Sequence, residues 1–211
     1  GASNCRVQNC FVNNTGASAY AICLGNGANH NNVTDNGFHN YGITYGHGSR
    51  STSPVLISGS HYNYLANNDI SCHDANGIYL SSYDGGPLNG GVSNFNIIYN
   101  NTVKYEVLPT SWSYGIQLMG GNNTVNSNRV IGAYRGISSS GPGNVIINNK
   151  VINRTGADFS RLNAVVGGDV AIVGSYNSII INNTIENARV ISTGCGISVS
   201  DNAIVENNTV Q

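Results

Sequence analysis

Short runs of β-branched and aliphatic residues, three to five long, alternate along the whole chain with breaks rich in Asn, Ser and Gly, and the breaks recur. An Asn-rich phrase returns as Asn31-Asn32-Val33-Thr34-Asp35-Asn36, Asn67-Asn68-Asp69-Ile70, Asn100-Asn101-Thr102-Val103, Ser127-Asn128-Arg129-Val130, Asn148-Asn149-Lys150-Val151, Asn182-Asn183-Thr184-Ile185 and Asn207-Asn208-Thr209-Val210, with a weaker first copy at Gln8-Asn9-Cys10-Phe11. With Asn9, Asn36, Asn68, Asn101, Asn128, Asn149, Asn183 and Asn208 as markers, the spacing varies between 21 and 34 residues. Between these phrases lies a second one, Gly-Ile with alternating neighbours, at Tyr41-Gly42-Ile43, Gly77-Ile78, Gly115-Ile116, Gly136-Ile137 and Gly196-Ile197, with Ala21-Ile22 and Ala171-Ile172 in the same slot.

Each unit therefore reads as a short strand, an Asn corner, a second short strand, a variable loop and a Gly-Ile strand. No segment keeps a 3.6-residue apolar period, so helix is not expected. Three such strands cannot cover their own hydrophobic side, but stacked units bury a continuous column of Ile, Val and Leu. Parallel coils about 4.8 Å apart bring each corner Asn over the last. Asn suits that corner because it tolerates left-handed backbone geometry, and stacked amides hydrogen-bond along the column. The expectation is an all-β, right-handed parallel β-helix solenoid of seven to eight coils with an Asn ladder. Residues 1–211 form a single domain in this reading. With the start at Gly1 already in pattern by Cys5, a mature or excised fragment of a longer chain is expected.

This pattern resembles the pectate-lyase-like superfamily, in particular its parallel β-helix repeat proteins of carbohydrate-binding and sugar-hydrolase type. The resemblance spans residues 4 to 211 and implies the fold and a polysaccharide partner; the same scaffold carries lyases, hydrolases, epimerases, tailspikes and non-catalytic surface proteins.

Composition narrows the classes. Only 9 % of the 211 residues are charged and the formal net charge is −1, so there is no basic excess to displace phosphate counterions and nucleic acid is not an expected partner. No stretch approaches 18 consecutive apolar residues, so no membrane partner is expected either. Five Cys, at 5, 10, 23, 72 and 195, form no C-x-x-C pair, sit in apolar contexts and read as buried free thiols, with a disulfide among the first three left open. Seven N-x-S/T triplets mostly coincide with the Asn corner, and the ladder already explains them.

In a solenoid, equivalent outward positions align into stripes. The stripe around the Gly-Ile strands gathers Tyr41, Tyr79, Trp112, Tyr114, Gln117, Tyr134 and Arg135, rings interleaved with hydrogen-bonding groups, as an extended sugar polymer requires. His47 and Asp84 extend the list of substrate contacts, and Asp84 is also the one candidate ligand for Ca2+; no other cofactor is called for. The segment Phe38 to His47 looks like the active-site strand of β-helical mannuronan C5-epimerases, Tyr-Gly-Phe-Asp-Pro-His. Tyr41, Gly42 and Ile43 match its first three positions, whereas Thr44 replaces the aspartate and His47 falls one residue late. His39, Tyr41, His73 and Asp74 are the candidate catalytic groups, Asp74 being expected one coil above His39 so that the two share a proton.

The function these residues point to is a carbohydrate-active β-helix, a lyase or glycoside hydrolase, working outside the cell or at its surface on an extended polysaccharide. The alternative is a non-catalytic structural or adhesive β-helix, such as a tailspike shaft or surface-layer repeat protein. A trimeric shaft would require an outward apolar stripe, so monomer and trimer are both open.

Overall fold

A computed structural model of the chain describes residues 1–13, 20–41, 53–73, 75–81, 91–106, 113–152, 170–186 and 195–211. Their strands stack into three sheets in which every pairing is parallel. Sheet A takes the strands before each Asn corner: Arg6–Gln8, Asn32–Thr34, Tyr64–Ala66, Ile97–Tyr99, Thr124–Asn126, Val145–Ile147, Ile179–Ile181 and Ile204–Glu206. Sheet B takes those after it: Phe11–Asn13, Gly37–Tyr41, Asp69–Cys72, Thr102–Tyr105, Arg129–Ile131, Lys150–Ile152, Thr184–Glu186 and Thr209–Val210. Sheet C holds Ile22–Gly25, Val55–Ser58, Ile78–Ser81, Tyr114–Leu118, Arg135–Ser139, Val170–Gly174 and Cys195–Val199. The chain visits A, B and C in turn, which makes an all-β parallel β-helix of eight coils. No helix occurs among the described residues.

The two-residue period of each strand sorts its side chains. The middle residue of every A strand points inward, as Val33, Leu65, Ile98, Val125, Ile146 and Ile180 do, and all six are fully buried. Sheet B contributes one core residue in most coils and two in coils three and four, Ile70 with Cys72 and Val103 with Tyr105, and sheet C adds pairs such as Val55 with Ile57 and Ile78 with Leu80. At about 1.5–3 kcal/mol for each fully buried aliphatic side chain, every added coil extends the core by several such contributions. The Gly of the Gly-Ile phrase has a steric cause. A Cβ on Gly77, Gly115 or Gly136 would lie 2.5, 2.6 or 2.5 Å from the carbonyl oxygen of the coil above and would also strike a sheet B valine.

The Asn ladder is present, and there are two of them. At the A–B corner, Asn36, Asn68, Asn101, Asn128, Asn149, Asn183 and Asn208 form a chain in which each Nδ2 donates to the next Oδ1 at 2.8–3.1 Å. Each backbone N–H donates to the same oxygen, as from Asn68 to Asn101 Oδ1 at 3.0 Å. At the C–A corner, Asn31, Asn63, Asn96, Asn123 and Asn144 repeat the arrangement at 3.0–3.2 Å. In coil one the ladder sites hold Cys5 and Cys10, whose N–H groups donate to Asn31 and Asn36 Oδ1. Asn9, taken as the first marker of the ladder, is instead the left-handed residue before it, at φ 56°. That left-handed site is Asn in six coils, Asp35 and Ser127 filling the others.

One Gly-Ile assignment changes. The expected Gly42-Ile43 strand is not the sheet C strand of coil two: Tyr41 closes a sheet B strand in register with Cys72, and Val55–Ser58 fills the sheet C slot. The chain between them, 42–52, lies outside the described residues.

Candidate functional site

The three sheets turn very different faces outward. In the middle of sheet C, where the sugar-binding stripe was expected, the outward side chains are closed off: Leu56, Tyr79, Gln117 and Ser138 are all buried, while Cys23 at one end is exposed and Val173 and Ser198 toward the other are half-buried. Tyr79 is 3 % exposed and its hydroxyl donates to Met119 Sδ at 3.1 Å. Gln117 is 5 % exposed and its Oε1 accepts from Asn76 Nδ2 at 3.0 Å, while Asn76 Oδ1 accepts from the Tyr114 N–H. These groups brace successive coils. Tyr105 does the same across the core, its buried hydroxyl directed at the carbonyls of Ala75 and Tyr114.

At the start of the sheet C strands the expected stripe does bring two of its members together. Arg135 Nη1 donates to the Tyr114 hydroxyl at 3.2 Å, and its guanidinium lies 5.4 Å from the Tyr114 ring centre. Both belong to adjacent, paired strands. Tyr134 sits half-buried beside Arg135. His47, Asp74, Asp84 and Trp112 lie outside the described residues, so the expected approach of Asp74 to His39 and the Ca2+ role of Asp84 lie there too.

His39 belongs to sheet B, two residues before the strand end. Its carboxylate neighbour is Asp69, the first residue of the next coil's strand, with Nε2 3.5 Å from Oδ2. The sequence reading missed this partner because it aligned Tyr41 with the Gly-Ile strands. The observed register places Gly37 opposite Asp69 and Tyr41 opposite Cys72, with a shift between Phe38 and Tyr41. That shift directs the Asn40 N–H to Ser71 Oγ at 3.1 Å. The ring centres of Phe11 and His39 lie 5.1 Å apart, the planes tilted by 56°. His73 follows Cys72 directly, so the backbones of Tyr41 and His73 meet at one B–C corner of coils two and three.

Sheet B carries most of the charged outward side chains, alongside Phe11, Ile131 and Ile152. Beyond His39 and Asp69 it carries Lys104, Arg129 and Lys150 on three successive coils, Arg129 opposite Lys150 in register. Lys150 Nζ meets Glu186 Oε1 at 2.6 Å, so it is shared with an acid. At the adjoining corner, Asp35 accepts from Asn67 Nδ2 and Gln8 Nε2 at 3.0 and 2.9 Å. Those bonds hold its carboxyl below the usual carboxylate range, the Asn67 bond contributing most. Among the described residues no three His, Cys, Asp or Glu side chains come together as metal ligands. All five cysteines are free, but the expected burial holds for Cys72 alone: Cys5, Cys10, Cys23 and Cys195 are exposed, three of them in the end coils and Cys23 on an outward position of the first sheet C strand.

The chain matches no protein-family model, and neither the curated proteins nor the solved structures give a match.

Proposed function

We propose that the protein is a carbohydrate-active β-helix that holds an extended acidic polysaccharide along the outer face of sheet B. One observation carries this reading: Arg129 and Lys150 stand opposite each other in one outward column of sheet B, with exposed Lys104 one coil earlier in the neighbouring column, whereas the outward Leu56, Tyr79, Gln117 and Ser138 of the middle sheet C strands are buried. A polymer running along the solenoid axis meets one coil about every 4.8 Å, so cations on three successive coils favour a chain that carries repeated carboxylates. Two coils toward the N-terminus, the His39–Asp69 pair supplies a proton acceptor beside that track, with Tyr41 and His73 at the following corner. In a lyase, the base takes the proton α to a uronate carboxylate, the bond to the leaving oxygen breaks, and an acid returns a proton to that oxygen. In a hydrolase, a carboxylate such as Asp74 or Asp84 would activate water instead.

The test is binding to a panel of uronate and neutral polysaccharides, with the unsaturated product followed by ultraviolet absorbance and reducing ends measured separately. Replacing both Arg129 and Lys150 by Ala should weaken binding of an acidic polymer on the order of tenfold, with the effect fading at high salt. Acidic polymers that bind no better than neutral ones, or binding indifferent to the double substitution, would remove sheet B as the site. Retained binding with no product from any polymer supports the second reading, a structural or adhesive β-helix, which the apolar outer face of sheet A favours.

A further inference from the structure

Charge on the outward positions of sheet B is bounded at both ends. The register lines up two columns from coil three to coil seven: Asp69, Thr102, Arg129, Lys150 and Thr184 in one, Ser71, Lys104, Ile131, Ile152 and Glu186 in the other. The cations therefore occupy coils four to six, with a carboxylate on the coil before them and another on the coil after. Among the described residues, Asp69, Lys104, Arg129, Lys150 and Glu186 are the only Asp, Glu, Lys or Arg in the strands of this sheet. The Asp69 side chain is 66 % exposed. Glu186 reaches back one coil to Lys150, Oε1 lying 2.6 Å from Nζ, and so offsets the last cation of the run. Glu106, exposed two residues beyond Lys104, is a further carboxylate at the same edge.

A polymer lying along the axis meets these groups in order. Its carboxylates are attracted over coils four to six. Over coils three and seven a carboxylate comes within about one coil spacing of Asp69 or Glu186, roughly 4.8 Å, well inside the screening length of about 8 Å at physiological ionic strength. Like charges brought together in this way reject a partner. An uncharged sugar finds partners at the same places. The Asp69 carboxylate accepts a hydroxyl, Thr184 and Thr209 both donate and accept, and the Phe11 ring, 68 % exposed at coil one, offers a face for C–H groups.

We infer, on the reading that sheet B holds an acidic polysaccharide, that its ligand is a uronate polymer of interrupted charge: short blocks of carboxylates, matched to coils four to six, set between uncharged residues. A chain ionised on every residue is disfavoured, because it cannot cover the cations without also covering Asp69 and Glu186.

The test takes each uronate polymer of the binding panel in three forms that share one backbone and one length: fully ionised, half methyl-esterified and fully methyl-esterified. Affinity is measured by titration calorimetry. The half-esterified form should bind more tightly than the fully ionised form by about fivefold or more. In Asp69→Asn/Glu186→Gln, its fold checked by circular dichroism, the fully ionised form should gain about tenfold and overtake it. Glu206→Gln, on sheet A, should leave the preference as it is in the parent. A fully ionised form that binds the parent as well as the half-esterified one would overturn the inference and leave the polysaccharide reading standing. A preference that survives the double substitution would overturn it too, since Asp69 and Glu186 would then not be its cause. If no ionised or half-esterified form binds better than its fully esterified counterpart, the polysaccharide reading itself falls, and the interrupted-charge ligand with it.

Discussion

Asn101→Leu probes the first ladder at its middle. The Asn101 side chain is 1 % exposed and makes five hydrogen bonds. Its Oδ1 accepts the Asn68 backbone N–H at 3.0 Å and the Asn68 Nδ2 at 2.8 Å. Its Nδ2 donates to the carbonyls of Leu65 and Tyr99 and to Asn128 Oδ1, at 3.0, 3.1 and 3.0 Å. Leucine fills a similar volume and makes none of these. Asn128 Oδ1 keeps the Asn101 backbone N–H, and Asn68 Nδ2 keeps the Val33 carbonyl, so neither is stranded. The Asn68 N–H and the Leu65 carbonyl lose this partner, and both residues are buried. At about 1–3 kcal/mol for each buried polar group so treated, the expected cost is about 2–6 kcal/mol. Urea denaturation followed by circular dichroism measures it against Thr102→Leu, an outward position one residue away that should stay within about 0.5 kcal/mol of the parent. Because coils couple only to their neighbours, the break also divides the solenoid, and the unfolding transition should broaden or split. An Asn101→Leu protein within about 1 kcal/mol of the parent would refute the ladder as a load carried by buried amides.

Asn123→Leu should cost a similar amount in the same assay, since Asn123 occupies the same place in the second ladder and is fully buried. A thiol reagent should titrate four cysteines in the native protein and the fifth only in denaturant, because Cys72 is fully buried and its thiol is pushed well above the ordinary range; among the four, Cys23 should react more slowly than Cys5 because partial burial raises its thiol as well. Asp35 ionises more readily folded than unfolded, so its stabilising effect is present above the ordinary carboxylate value and is lost as pH falls through the depressed folded value; Asp35→Asn should flatten that part of the acid limb of a stability-versus-pH curve. Tyr105→Phe removes the hydroxyl shared by the Ala75 and Tyr114 carbonyls and should cost about 1–3 kcal/mol by the same denaturation measurement.

The fold was legible because its causes are local and repeated. A left-handed corner residue followed by a ladder Asn and a short β strand is a statement about a few bonds, and stacking repeats it in seven of the eight coils, so the column shows in the sequence despite loops of unequal length. The second ladder was equally written there: Asn31, Asn63, Asn96, Asn123 and Asn144 each stand five residues before an Asn of the first, a constant offset because the three-residue A strand between the corners never varies. The candidate site was less legible. Which residues share a stripe depends on where each coil resumes after its B–C loop, and that loop has no fixed length. In coil two the chain resumes at Val55, so Tyr41 and His39 stayed on sheet B and His39 met Asp69, a partner no spacing rule names. Whether an outward column is open is likewise a property of the assembled coils. Tyr79, Gln117, Lys104, Ile97 and Ile181 all alternate outward by the same two-residue rule, yet the first two are buried among other parts of the chain while the last three face solvent. Alternation, which the sequence carries, decides only the side of the sheet; burial requires neighbours from distant coils and loops, and those are supplied by the tertiary structure alone.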